Sequence, residues 1–94
     1  MVLDVSKITG LGDYSEKHEK LRTLFFKNDK AFLVVNKNTV EVRCDNNLSD
    51  NLKTKFESVM ESRYFGKGGI EIVLAGQLSQ QEIEDLIRLS YNMT

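Results

Sequence analysis

Between positions 21 and 44 the apolar residues come in short runs rich in β-branched and aromatic side chains, at 21–27, 30–36 and 39–44. Such runs suit a pleated, half-buried surface. Asn28-Asp29 and Lys37-Asn38 interrupt them, and Asn and Asp tolerate the positive φ that two-residue hairpin turns require. The pattern predicts a three-stranded antiparallel meander. Then the period changes. Leu48, Leu52, Phe56, Val59 and Met60 recur at helical spacing behind Ser49, an N-cap candidate, which predicts a helix over 49–60. A short strand over 62–65 and a second over 70–75 follow, turned on the Gly66-Lys67-Gly68-Gly69 loop. The closing helix is the clearest element. Ser79 and Glu82 have capping-box spacing, Leu78 and Ile83 are placed as a hydrophobic staple, and Ile83, Leu86, Ile87 and Tyr91 form one apolar face. Ahead of the meander, 14–20 admits one or two helical turns from a Ser15 cap, and 1–13 reads as an irregular arm. The expected fold is α+β, an antiparallel sheet with helices on one face, in the order (α)-β-β-β-α-β-β-α.

The two-residue turns also predict a register. Pairing Lys27 with Lys30 sets Phe25 opposite Phe32, and pairing Asn36 with Thr39 sets Leu33 opposite Val42. Neighbours on a strand point to opposite faces. One face therefore collects Leu24, Phe26, Ala31, Leu33, Val35, Val40, Val42 and Cys44, an apolar set ready for the helices. The other collects Thr23, Phe25, Lys27, Lys30, Phe32, Val34, Glu41 and Arg43. Two aromatic rings among three cations make this second face the leading candidate for a binding surface.

Length and composition narrow the choices. A chain of 94 residues makes one domain, 1–94, able to bury only roughly two-thirds of its unfolded surface in one core. With 13 basic and 14 acidic residues the net charge is -1, without the global excess of a duplex-DNA binder. Residues 68–94 hold one Arg against four acids, so the first two-thirds is net basic and a basic face is permitted. The single cysteine, Cys44, excludes an intramolecular disulfide and suits a reducing compartment. No apolar run reaches membrane-spanning length, and Asp4 interrupts what a signal peptide would need to keep apolar. A cytoplasmic location is expected, with no membrane partner.

Little in the chain suggests catalysis. His18, the only histidine, sits in a charged run, Glu16-Lys-His-Glu-Lys20, as a solvated surface residue would. Cys44 ends a strand on the expected core face, where a thiol acts as a small hydrophobe. No Cys or His pair has metal-ligand spacing. The glycine cluster lacks the Ser/Thr of a phosphate loop and leads into a strand rather than a helix. Glu82, Glu84 and Asp85 fall in a first helical turn, where acids favour the macrodipole. No enzyme, metal or cofactor is expected. Two functions remain. Phe25 and Phe32 could stack bases while Lys27, Lys30 and Arg43 meet phosphates, assisted by Arg63, Tyr64 and Lys67, giving a DNA- or RNA-binding module. Alternatively the N-terminal arm (Val2, Leu3, Val5, Ile8) or a second subunit covers the rings, giving a self-associating interaction module and a homodimer.

The run Asp29-Lys-Ala-Phe-Leu-Val-Val35, the strand end Val40-Glu-Val-Arg-Cys-Asp45 and the helix ending Ile87-Arg-Leu-Ser-Tyr91 carry a family resemblance. In this order and spacing, over roughly residues 20–92, the chain resembles the MmcQ/YjbR-like family of small bacterial proteins. Lys30 and Phe32, Arg43 to Asp45, and Ser90 to Tyr91 fall on the family's motif positions. The resemblance implies an α+β domain with a curved antiparallel sheet, similar in outline to secretion chaperones. It also implies DNA binding, an inference that rests on fold analogy. The family opens with a longer N-terminal helix than residues 1–20 supply, and it has a Trp where this chain has Gly69 and Ile70. Tyr91 is expected to pack on the sheet near strand 70–75, with its hydroxyl turned to the domain edge.

Overall fold

The computed structural model describes residues 3–94, so Val2 lies outside the described residues. A 3-10 turn at Val5–Lys7 precedes β1 (Ser15–His18), β2 (Thr23–Lys27), β3 (Lys30–Val35) and β4 (Thr39–Arg43). Then come α1 (Asn46–Lys55), β5 (Val59–Ser62), β6 (Gly66–Val73) and α2 (Gln80–Met93). The strands form one antiparallel sheet in the order β1-β2-β3-β4-β6-β5. Both helices share one apolar cluster with the sheet: Leu48 and Leu52 from α1, Ile83, Ile87 and Tyr91 from α2, and Val5 and Ile8 from the arm. The α+β architecture is as expected from the sequence.

Four elements differ in detail. Residues 15–18 form a strand, not helical turns. All four are exposed, and their charged side chains blunt the sheet edge they create. α1 starts three residues early because Asp45, not Ser49, is its N-cap, accepting from Leu48 N–H at 2.9 Å. Ser49 is buried within the helix. α1 also stops at Phe56, whose extended backbone releases Val59 and Met60 into β5 opposite Ile72 and Glu71. The i, i+3, i+4 spacing of those two residues also fits a strand that begins after a break. Finally, the β5–β6 turn is Arg63-Tyr64-Phe65, and the glycines lie inside β6. Gly66 takes φ +63°, and a Cβ on Gly69 would stand 2.5 Å from the Val42 carbonyl oxygen and 2.6 Å from Phe65 Cβ. Only glycine permits that approach.

The β2–β3 hairpin closes as its sequence predicts, with positive φ at Asn28 (51°) and Asp29 (67°) and with Lys27 opposite Lys30. Beyond Phe26–Ala31 the register slips. Phe25 faces Leu33 and Leu24 faces Val34, which leaves Phe32 as the extra residue of a β-bulge. A one-residue slip moves side chains to the other face. Phe25 thus joins Leu33, Val40, Val42 and Cys44 in the core, while Leu24 and Ala31 are buried outside that cluster and Phe26 is half-buried.

A side chain from the far end of the chain completes the bulge. The β3–β4 ladder ends at Leu33–Val42. Where Phe32 and Arg43 would pair next, the buried Ser90 hydroxyl donates to the Phe32 carbonyl at 2.6 Å and accepts from the Arg43 N–H at 2.8 Å. Backbone groups freed by the bulge are thereby satisfied without water. Tyr91, next in α2, sets its ring edge-on to Phe32 at 5.0 Å and donates its hydroxyl to the Asp13 carbonyl at 2.9 Å. It therefore packs on β3 and the arm rather than near β6.

Candidate functional site

Val40 and Val42 belong to the core, so Glu41 between them points to the helix-free face, and Glu71 between Ile70 and Ile72 does the same. The two glutamates are register partners on neighbouring strands and are only 2% and 3% exposed. Facing like charges destabilise a sheet unless other groups neutralise or bond them. Here each carboxylate is supplied with donors. Glu41 accepts from Asn36 Nδ2 (2.9 Å), Ser62 Oγ (2.8 Å) and Tyr64 N–H (2.8 Å). Glu71 accepts the Arg63 guanidinium through two bonds (3.0 and 2.8 Å) and Thr39 Oγ1 (2.7 Å). Burial pushes the Glu41 carboxyl upward. The bonds from Asn36, Tyr64 and Ser62, with the nearby Arg63 charge, outweigh it and hold the group below the usual carboxylate range.

These bonds fix the β5–β6 turn in place. β5 ends at the opposite end of the sheet from the β1–β2 and β3–β4 turns, yet the turn folds back over the face until Tyr64 N–H reaches Glu41. Ser62 Oγ also accepts from Phe65 N–H at 2.8 Å. The result is an open groove of about 910 Å³, walled by the turns at 19–22, 36–39 and 63–64, with Glu41 on its floor. Arg22, bound to Glu19 at 2.7 Å, lies over the Tyr64 ring, 5.3 Å from its centroid. Lys20 and Lys37 also line the groove and form no ion pair among the described residues. Four cations thus face two carboxylates along the walls and floor.

Of the residues singled out from sequence, Arg63 and Tyr64 come together here. The rest are dispersed. Phe25 and Phe32 are buried, packed edge-on against Tyr14 at 5.7 and 6.2 Å, so no ring platform is open to solvent there. The bulge is the physical cause: it turns both rings into the core beside the N-terminal arm. Lys27 donates to the Tyr91 carbonyl at 3.0 Å and lies over its ring at 4.3 Å, which clamps α2. Arg43 donates to the Ala31 carbonyl at 2.7 Å and lies over the Phe65 ring. Lys30 follows the β2–β3 turn, and Lys67 is exposed on β6.

Sequence reasoning missed Lys20, Arg22, Lys37 and Glu71. The signal was available in part. In an up-and-down meander that begins at 15, the turns after β1 and β3 share one end, which gathers Lys20, Arg22 and Lys37. Glutamates flanked by β-branched residues, Val40-Glu-Val42 and Ile70-Glu-Ile72, mark facing positions on central strands. Elsewhere, His18 is exposed, with Nε2 3.1 Å from Glu16. Burial, with the Asp45 charge adding to it, pushes the Cys44 thiol up to about 11, so it stays protonated at neutral pH. Among the described residues no group of three or more His, Cys, Asp or Glu is placed to hold a metal, and no helix is long and apolar enough to cross a membrane. No family model, curated protein or solved structure matches the chain.

Proposed function

We propose that this is a non-enzymatic nucleic-acid-binding module of the MmcQ/YjbR-like family, and that its ligand surface is the groove on the helix-free face. One observation carries the reading: a preformed groove lined by Lys20, Arg22, Lys37 and Arg63, whose two lysines have no carboxylate partner among the described residues. Uncompensated cations along an open channel attract phosphates, and they bind by releasing condensed counterions. The family part of the reading is supported by what its motif residues do. Phe32, Arg43, Ser90 and Tyr91 meet at the bulge, and Asp45 caps α1. Positions linked in this way hold the fold, which separates them from the groove.

Fluorescence anisotropy with labelled oligonucleotides, read across a salt series, tests the proposal. Binding is expected at low salt and should weaken as salt rises. For a single strand the log–log slope should lie between about -1.4, for the two lysines alone, and about -2.8, for all four cations. The double charge reversal Lys20→Glu/Lys37→Glu should abolish it. Absence of binding at the lowest salt would overturn the proposal.

A further inference from the structure

We infer that the groove takes a single strand rather than a duplex, and that Tyr64 is the residue on which a base stacks. The inference rests on the nucleic-acid reading of the groove and adds the form of the strand and the residue that reads it. Tyr64, at 39% exposure, is the only Phe or Tyr side chain in the open among the described residues; the other Phe and Tyr rings are buried or half-buried, and the exposed His18 ring does not line the groove. The ring is no part of the apolar cluster, yet it stands in a turn held by side chains of three strands. Its own N–H is held by the buried Glu41, the residue before it by Glu71 and the residue after it by Ser62. None of these bonds uses the ring. Phe65, edge-on at 4.9 Å, fixes the ring's tilt. The backbone is immobilised while the π-face is left at the groove wall, as a stacking platform requires.

What now lies over that ring supports the same conclusion. The Arg22 guanidinium is a flat, delocalised cation, 5.3 Å from the centroid, and planar stacking on an aromatic face is what guanidinium and nucleobase have in common. The ring face is thus one that already takes a cation–π partner, at present the protein's own side chain. A base arriving there would take the face, and Arg22 would remain beside it to meet a phosphate. A duplex presents no unstacked base, so it can use the lysines but not the ring. Charge complementarity selects a nucleic-acid strand over an apolar peptide, since Lys20 and Lys37 on the walls form no ion pair among the described residues.

The test uses one 12-nucleotide strand with a central 2-aminopurine, the same sequence as a duplex, and inorganic polyphosphate as a base-free polyanion. The native protein should bind the single strand roughly tenfold or more tightly than the duplex, and 2-aminopurine fluorescence should change on binding. Tyr64→Ala should lose that preference and the fluorescence change while keeping the native melting curve, and Tyr64→Phe should keep both. If single strand and duplex bind equally without a fluorescence change, or polyphosphate competes as well as the strand per phosphate, the groove reads phosphates alone and the stacking inference falls while the nucleic-acid or polyanion reading survives. If nothing binds at low salt, both fall.

Discussion

On the helix-covered face of the sheet, Val40, Val42, Ile70 and Ile72 stand in one apolar cluster with Ile83 and Ile87. On the other face of the same two strands, Glu41 and Glu71 stand opposite each other, just as buried. Alternation along β4 and β6 produces both surfaces, but different physics holds them. The covered face is stabilised by burial of apolar area, which is non-directional and tolerant of small shifts. The open face is stabilised by directional bonds to two carboxylates, and a buried acceptor that loses its donors becomes a cost. The first face can be thinned gradually. The second works as a network, and it holds a loop where a ligand can reach it.

If that contrast is right, truncation on the covered face should cost most. Tyr91→Ala removes a buried ring and should destabilise by about 3 kcal/mol in urea denaturation. An unchanged melting curve would mean that the ring is not a core residue. Next comes a buried polar group on the covered face. Ser90→Ala deletes the hydroxyl joining Phe32 and Arg43 and should cost about 2 kcal/mol. Hydrogen exchange at the Arg43 amide should accelerate with it.

The open face should yield smaller losses of stability and larger losses of order. Glu41→Ala removes the acceptor of three bonds and should cost about 1.5 kcal/mol, with faster exchange at the Tyr64 amide. If the Tyr64 amide kept its protection, Glu41 would not be the anchor of the turn. Glu41 also predicts a pH dependence. Its carboxyl is held below the usual value of 4.5 in the fold, so the unfolded chain takes up the proton first as pH falls. Its stabilising contribution is complete above about pH 4.5 and is lost as pH drops through the lower folded value. Glu41→Gln should flatten the acid side of the stability profile, and an unaltered profile would refute the assignment. Tyr64→Ala should change stability least, by no more than about 0.5 kcal/mol.

Much of this architecture is legible in 94 letters because it rests on contacts within a few residues. The Ser79–Glu82 box forms as its spacing predicts, each side chain bonding the other's backbone at 2.9 and 3.1 Å. Asn28-Asp29 takes the left-handed conformation that a two-residue hairpin needs. The β3–β4 register follows from the Lys37-Asn38 turn and holds through Val35–Val40, Val34–Glu41 and Leu33–Val42. These elements carry the α+β class and most of the core.

The candidate site was far less legible, and a single residue explains much of the difference. The β2–β3 register is right for two pairs and then fails at Phe32. No local signal marks a bulge there, because the hydroxyl that satisfies it arrives from Ser90, 58 residues later. That slip inverts the aromatic residues of the meander, taking Phe25 and Phe32 into the core. The groove has the same kind of origin. Its turns are brought together by strand order, and Tyr64 is aimed by Glu41, 23 residues earlier. Local backbone preference is set by neighbours in sequence, so it can be read there. Which face a side chain takes depends on the count of residues between one cross-strand bond and the next, and that count is settled only where distant groups compete for the same donors and acceptors.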